Sequence, residues 1–130
     1  MRSITLCAAF VGLVAGSALL AGCAPRLEAP RDREVCWHLV KDDAGKPKFN
    51  RLADHQPTLE RCAVQLEVMR LQFRALGATQ NESVGAYQGQ FLFLQRTGVF
   101  TSETIDGYRY PFLIRTGDGR LAVPGAVQAQ

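Results

Sequence analysis

The chain has 130 residues, of which 47% are hydrophobic, and this size suits one domain with a modest core and excludes several. Its 15 basic and 12 acidic side chains give a net charge of +3, and the basic ones are scattered, so charge gives no case for binding nucleic acid. None of the common nucleophile, zinc-hydrolase, phosphate-loop or dinucleotide motifs occurs, so no catalytic class is indicated.

The N-terminal segment has the organisation of a secretory signal. No charged residue occurs between Ser3 and Pro25, Arg2 precedes this run, and its middle is apolar or small throughout. The run ends in residues 20–23, LAGC, which resemble the lipobox of bacterial lipoproteins at all four positions. A transmembrane anchor and an ordinary cleaved signal are the alternatives that the run leaves open.

The resemblance to bacterial lipoproteins implies a lipid anchor at Cys23. It implies that residues 1–22 are removed as a signal peptide, that the Cys23 thiol is diacylated, and that the new amino terminus is acylated. Several acyl chains hold a small domain firmly on a membrane. Because Ala24 rather than an aspartate follows Cys23, the resemblance implies the outer membrane, facing the periplasm. The body of the chain resembles small uncharacterised lipoproteins of proteobacteria, which implies no function.

The segment after Cys23 is typical of a linker. Residues 23–33 contain two prolines, charges of alternating sign and one large apolar side chain, which predicts a lipidated flexible tether. Removing residues 1–22 from the 130-residue chain leaves 108 residues, and it removes one of the 15 bases, so 14 remain against 12 acids. We expect a single folded domain over residues 34–125 and a disordered tail over residues 126–130.

The body begins with a predicted hairpin and a predicted helix. The runs EVCWHLVK and KFNRL flank the turn sequence DDAGKP, which favours two paired strands. Pro57 and Thr58 then begin a helix, with Thr58 as N-cap, that ends before Gly77. At about 100° per residue, one broad stripe forms the predicted core face: Leu59, Cys62, Ala63, Leu66, Met69, Phe73 and Leu76.

The opposite side of this helix carries a second stripe, which consists of Val64, Val68, Leu71 and Ala75. A helix with one buried face is polar there, so the second stripe indicates a further contact. The alternatives are cover by the C-terminal segment LAVPGAVQAQ, a few tolerated exposed aliphatic side chains, or an interaction surface for a second copy or another protein.

Four strand-like runs follow the helix: SVGAYQGQFLFLQ, VFTSE, GYRYPFLIRT and RLAVP. Alternation in the first run places Tyr87, Phe91 and Phe93 on one face, and Pro111 predicts an edge or a bulge in the third. The fold class expected is α+β: one long helix packed on a small antiparallel sheet, in the order β-hairpin, helix, β-meander, with one disulfide.

One weak polar site is predicted in the first of these runs. Glycines weaken a strand unless a backbone, an aromatic ring or a ligand must approach closely. The segment GAYQGQ therefore suggests a site formed by Tyr87, Gln88 and Gln90 together with Arg109, with a purely structural use of the glycines as the alternative.

Two cysteines remain in the body of the chain. Exported proteins meet an oxidising compartment, so Cys36 and Cys62 are expected to form a disulfide. A zinc site formed with His38 and His55 is the alternative, although the paired spacing of zinc motifs is absent. No metal and no other cofactor is predicted.

Two functions from different classes remain open. The first is a noncatalytic envelope lipoprotein that acts as a binding or assembly-accessory module, with its membrane contact at Cys23 and a protein partner or homodimer on the second stripe. The second is a small periplasmic hydrolase or metal-dependent enzyme whose active-site residues are dispersed in sequence. The lack of a paired nucleophile and base favours the first.

Overall fold

The structure is a computed structural model that describes residues 25–125. Along this range the elements are β1 (Cys36–Lys41), β2 (Pro47–Ala53), α1 (Leu59–Ala75), β3 (Ser83–Tyr87), β4 (Gln90–Leu94), β5 (Gly98–Ser102), β6 (Tyr110–Arg115) and β7 (Leu121–Ala122). They form one seven-stranded sheet in the order β2-β1-β3-β4-β5-β6-β7, with every neighbouring pair antiparallel. A helix, an antiparallel sheet and one disulfide are confirmed, but the sheet is larger than expected and dominates the fold.

Local turn and cap chemistry explains where the first elements begin and end. In the turn between β1 and β2, the Asp42 carboxylate accepts hydrogen bonds from the backbone N–H groups of Ala44 and Lys46, at 2.9 and 2.8 Å. The Thr58 hydroxyl accepts one from the N–H of Arg61 at 3.2 Å, which confirms Thr58 as the N-cap of α1. Gly77, with φ of +93°, follows the helix, as its sequence position predicts.

The two faces of the sheet are buried by different partners. On one face α1 contributes Cys62, Ala63, Leu66 and Met69 to a core shared with β1 and with strands β3 to β6. Close approach of the helix depends on Gly85, because a Cβ there would collide with Leu66 and lie 2.7 Å from the backbone oxygen of Trp37. The opposite face forms a second cluster without helix residues, which is built around Ala29, Ala86, Phe91 and Phe93.

The run predicted as a single strand over residues 83–95 is two strands, β3 and β4, joined by a tight turn. Gln88 and Gly89 occupy the turn with φ of +44° and +86°, and Tyr87 is paired with Gln90. This is the geometry of a two-residue hairpin loop with positive φ at both positions. The pairing reverses the predicted alternation, so Tyr87 lies in the core beneath α1, whereas Phe91 and Phe93 lie on the opposite face.

The strand that contains Pro111 is bulged, as its sequence predicts. Val99 of β5 is opposite Leu113, but the next residue, Phe100, is opposite Pro111, so Phe112 is the extra residue of β6. Proline has no backbone N–H to donate, and β6 accommodates it at a bulge where β5 is its one paired neighbour, since β7 pairs only with Ile114 and Arg115.

Part of the predicted tether is packed on the sheet. Residues 25–33 contain no helix or strand, but Ala29 is buried and Leu27 packs on the cluster opposite α1. The Pro30 oxygen accepts a hydrogen bond from the N–H of Gly89 at 2.8 Å. The folded body therefore begins several residues earlier than residue 34, because the uncovered aromatic face of the sheet gives this segment apolar surface to bury.

The predicted core face of α1 is correct for its first three turns and wrong for its last. Cys62, Ala63, Leu66 and Met69 are buried, but Phe73 is about half exposed and Leu76 is largely exposed. From Leu71 to Leu76 no residue of the helix or its C-cap is buried, so the final turn extends beyond the buried core.

Candidate functional site

The segment that follows the predicted anchor point lies on the sheet face opposite α1. Cys23 itself, the predicted signal peptide of residues 1–22 and the predicted tail of residues 126–130 lie outside the described residues. Arg26 is three residues after Cys23, so the two are separated by at most about 11 Å of extended chain. Any attachment at Cys23 therefore lies close to the surface that residues 26–31 occupy.

The disulfide between Cys36 and Cys62 is confirmed. Their Cα atoms are 5.2 Å apart, and the bond joins β1 to the first turns of α1 in the centre of the core. Because both sulfurs are in the bond, neither is a thiolate, and the alternative zinc site with His38 and His55 is wrong. Within residues 25–125 no group of three or more His, Cys, Asp or Glu side chains could hold a metal ion.

The second stripe of α1 is exposed. Val64, Val68 and Leu71 have 44%, 47% and 51% of their surface accessible, and Ala75 is exposed as well. The described part of the C-terminal segment does not cover them, because Leu121–Ala122 pairs with β6 at the far edge of the sheet. Within residues 25–125 the aliphatic side chains of the second stripe are therefore left about half exposed, on a helix that the core and the disulfide hold in place.

Two charged side chains flank the second stripe on the same side, one near each end of α1. Glu60 lies in the first turn and Arg74 in the last, and both are exposed. No salt bridge to either is found within the part of the chain that the structure describes. The flank therefore carries opposite charges at its two ends, both available to a partner.

The predicted polar site is not assembled. Tyr87 is buried beneath α1, where its hydroxyl donates a 2.6 Å hydrogen bond to the backbone carbonyl oxygen of Gln56 and burial raises its pKa. Gln88 and Gln90 line a cavity of about 510 Å³ beside residues 26–31. Arg109 lies at the other end of β4, over the ring of Phe93 at 3.8 Å and 2.6 Å from the Glu82 carboxylate. The four side chains are separated because the β3–β4 turn carries Gln88, Tyr87 is buried under α1, and strand pairing places Arg109 beside Phe93.

The structure instead brings together a charged cluster that the sequence did not reveal. The Glu67 carboxylate accepts two hydrogen bonds from Arg70, at 2.8 and 2.9 Å, and two from Arg115, at 2.6 and 3.0 Å. Arg115 also donates two hydrogen bonds to the backbone carbonyl oxygen of Gln95, at 3.0 and 3.1 Å. Burial alone raises the pKa of Glu67, but the hydrogen bonds and charges of Arg70 and Arg115 outweigh it and lower the pKa to about 2.

Two cavities adjoin this cluster, with volumes of about 300 and 250 Å³, and they share Arg70, Arg74 and Arg96 as lining residues. We call the pair the arginine cavity. Arg115 lines the smaller one, and Glu67 is the one acidic side chain that lines either. In sequence the four arginines extend over 46 positions. Only Arg70 and Arg74, at i and i+4 on one helix, are placed near each other by a local pattern.

An apolar cavity of about 680 Å³ lies between the end of α1 and β1. His38, Val40 and Phe73 line it, and the His38 and Phe73 rings are 6.3 Å apart. Burial lowers the pKa of His38, which favours its neutral form. The residues that line this cavity include neither Asp nor Glu, so His38 lacks the carboxylate that a hydrolytic site would place beside it.

Within residues 25–125 no helix has the length and hydropathy needed to cross a membrane. Comparison with protein-family models, with curated proteins and with solved structures finds no match for this chain.

Proposed function

We propose that this protein is a noncatalytic envelope lipoprotein, anchored through Cys23, that acts as a binding module through the second stripe of α1 and pairs there with a second copy of itself. The observation that carries the proposal is the exposure of Val64, Val68 and Leu71 on one face of a helix. Aliphatic side chains grouped on a rigid surface gain free energy when a partner removes them from water.

The position of the N-terminal segment supports a protein partner for this face rather than the anchoring membrane. Residues 27–31 pack on the side of the sheet opposite α1, and Cys23 is only a few residues away. A lipid anchor at Cys23 therefore holds the opposite side of the sheet nearer to the membrane. The second stripe then points away from the bilayer, where another protein can reach it.

Charge and symmetry support a second copy as that partner. If two α1 helices pack antiparallel about a two-fold axis near Val68, Val64 of one copy contacts Leu71 of the other. In the same arrangement Glu60 of one copy lies near Arg74 of the other, on the flank where both lack a salt bridge within residues 25–125. In this arrangement aliphatic side chains face aliphatic side chains, and opposite charges face each other.

The size of this face predicts a weak dimer. Three half-exposed aliphatic side chains and one alanine per copy bury less than the roughly 1,200 Å² typical of stable complexes. Anchoring two copies in one membrane raises their effective concentration and favours association without further contacts. We therefore expect dimerisation to be concentration-dependent in detergent and stronger on a membrane.

Replacement of Cys23 by serine tests the anchor. The serine hydroxyl cannot be processed as a lipobox cysteine, so we expect unprocessed precursor and no incorporation of labelled fatty acid. Size on denaturing gels and acyl labelling measure both effects. Normal processing of the Cys23→Ser variant would show that the anchor proposal is wrong.

Val68→Asp tests the second stripe, with Gln65→Asp as a matched control at an exposed position outside it. We expect Val68→Asp to remain folded, since a change on the exposed surface costs little, and to abolish the dimer in sedimentation equilibrium. Gln65→Asp should leave association unchanged. Association that survives Val68→Asp would remove the second stripe as the contact.

Charge reversal separates a second copy from an unrelated partner. Glu60→Arg and Arg74→Glu should each weaken self-association, because each places like charges opposite one another across the two-fold axis. The double variant Glu60→Arg/Arg74→Glu should restore association, because the pair is re-formed with its signs exchanged. Failure of the double variant to restore it would exclude the antiparallel arrangement.

A further inference from the structure

The arginine cavity carries more positive charge than the protein neutralises. Glu67 is its one acidic lining residue, against Arg70, Arg74, Arg96 and Arg115. Both Glu67 oxygens already bind the guanidinium groups of Arg70 and Arg115. The cluster therefore keeps three uncompensated positive charges.

Two other acids near the cavity are engaged elsewhere. Asp118, next to the lining residue Gly119, binds Arg120 at 2.6 Å. Glu82 lies beside Arg96 in a neighbouring cavity, but its carboxylate binds Arg109 at 2.6 Å and the Gln95 amide at 2.6 Å. Arg74 and Arg96 make no salt bridge within the described part of the chain. The guanidinium N–H groups of Arg74 and Arg96, which line the cavity, are therefore available to a ligand.

We propose that the arginine cavity binds a phosphate group, carried either by a small soluble molecule or by a lipid headgroup. Guanidinium groups donate pairs of hydrogen bonds that match phosphate oxygens, and several of them around one cavity suit an anion with more than one negative charge. Thr79, Gln80 and Asn81 line the same cavity and add polar groups.

The supporting network gives the cavity a fixed geometry. Arg70 is nearly fully buried, and its guanidinium is held by both oxygens of Glu67, so its position does not depend on the ligand. The backbone at Arg96, on the other side of the cavity, is held by the turn between β4 and β5, which the hydrogen bond from the Gln95 N–H to the Gly98 oxygen closes at 2.8 Å. Such preorganisation reduces the entropy lost on binding.

The test is a calorimetric titration of the full chain, purified in a neutral detergent, with sodium pyrophosphate at constant ionic strength. We expect saturable binding that Arg96→Gln weakens about tenfold or more, since it removes charge-assisted hydrogen bonds. Arg74→Gln should weaken binding similarly, and Arg61→Gln, an exposed position outside both cavities on the same helix, should have no effect. Circular dichroism without ligand establishes that the variants are folded.

A parallel titration with detergent micelles that contain phosphatidylglycerol distinguishes the two sources of phosphate. Binding of pyrophosphate that depends on Arg96 supports a soluble ligand, and binding only to the phosphatidylglycerol micelles, with the same dependence, supports a headgroup. Absence of binding in both titrations, or equal binding by the Arg74→Gln/Arg96→Gln variant, overturns the proposal. Arg74 also takes part in the proposed pairing with Glu60, whereas Arg96, in the turn between β4 and β5, does not, so the Arg96→Gln titrations test the phosphate site independently of that pairing.

Discussion

Replacement of Glu67 by glutamine is the most informative single test of the fold. The side chain is 11% exposed and accepts two hydrogen bonds from Arg70 and two from Arg115, and the pair from Arg115 joins α1 to β6. Glutamine keeps the size of the side chain but loses its charge and one acceptor. The guanidinium groups of Arg70 and Arg115 then face each other in a poorly solvated site without a counter-ion.

The expected magnitude follows from the lowered pKa of Glu67, which falls from 4.5 to about 2 in the folded protein. Each pKa unit corresponds to about 1.4 kcal/mol, so the interaction stabilises the fold by roughly 3 kcal/mol. A lowered pKa means that the unfolded chain binds the proton more tightly. The contribution is therefore fully present above about pH 4.5 and is lost as the pH falls towards 2.

Urea unfolding followed by circular dichroism measures both effects. At pH 7 we expect Glu67→Gln to lower the free energy of unfolding by about 3 kcal/mol, and we expect the variant to lose much less further stability than the wild type between pH 4.5 and pH 2. Glu103→Gln, at an exposed position, is the matched control and should change the free energy by less than about 0.5 kcal/mol. A Glu67→Gln variant as stable as that control, with the acid dependence of the wild type, would refute the reasoning.

Three further predictions concern the elements around the core. Replacing Cys36 and Cys62 together by alanine should lower the free energy of unfolding by about 3.5 kcal/mol on the chain-entropy model, since their sequence separation is 26, and equilibrium unfolding with and without reductant measures it. Gly85→Ala should cost about 1 to 3 kcal/mol in the same assay because its Cβ would overlap Leu66. Gly117→Ala, whose Cβ would have open space around it, should be nearly neutral, and equal effects would contradict the close-approach argument. Thr58→Ala should cost about 1 kcal/mol by loss of the N-cap hydrogen bond, and an unchanged thermal midpoint would contradict that role.

The sequence by itself determined the features that depend on neighbouring residues. Thr58 caps α1 because its hydroxyl needs only the N–H three residues later, and Asp42 and Gly45 close the first turn through contacts within five residues. The helical period identified the buried Cys62, Ala63 and Leu66 and grouped the second stripe on the opposite side, and the structure showed that this stripe is exposed within residues 25–125. The disulfide was predictable because only two cysteines remain in the body of the chain.

The sequence assigned the side chains of β4 to the wrong face because it did not reveal the turn at Gln88 and Gly89. Gln88 is not a typical turn residue, so the alternating pattern of residues 83–95 looked like one long strand. The turn is stabilised by contacts from distant parts of the chain: the Glu34 N–H donates to the Gln88 side chain at 3.0 Å, and Gly89 binds the Pro30 oxygen at 2.8 Å. Once the turn is present, each side chain of β4 lies on the face opposite to the one that a single strand would give it.

Only the tertiary structure decided which charged residues meet. Arg70, Arg74, Arg96 and Arg115 are separated in sequence by up to 45 positions and resemble ordinary solvated side chains when read one at a time. The antiparallel sheet brings the β4 to β5 turn and the end of β6 beside α1, where Glu67 binds two of the four. Contacts of this kind depend on how elements pack rather than on any local period, because electrostatic and hydrogen-bonding partners are selected by distance in space.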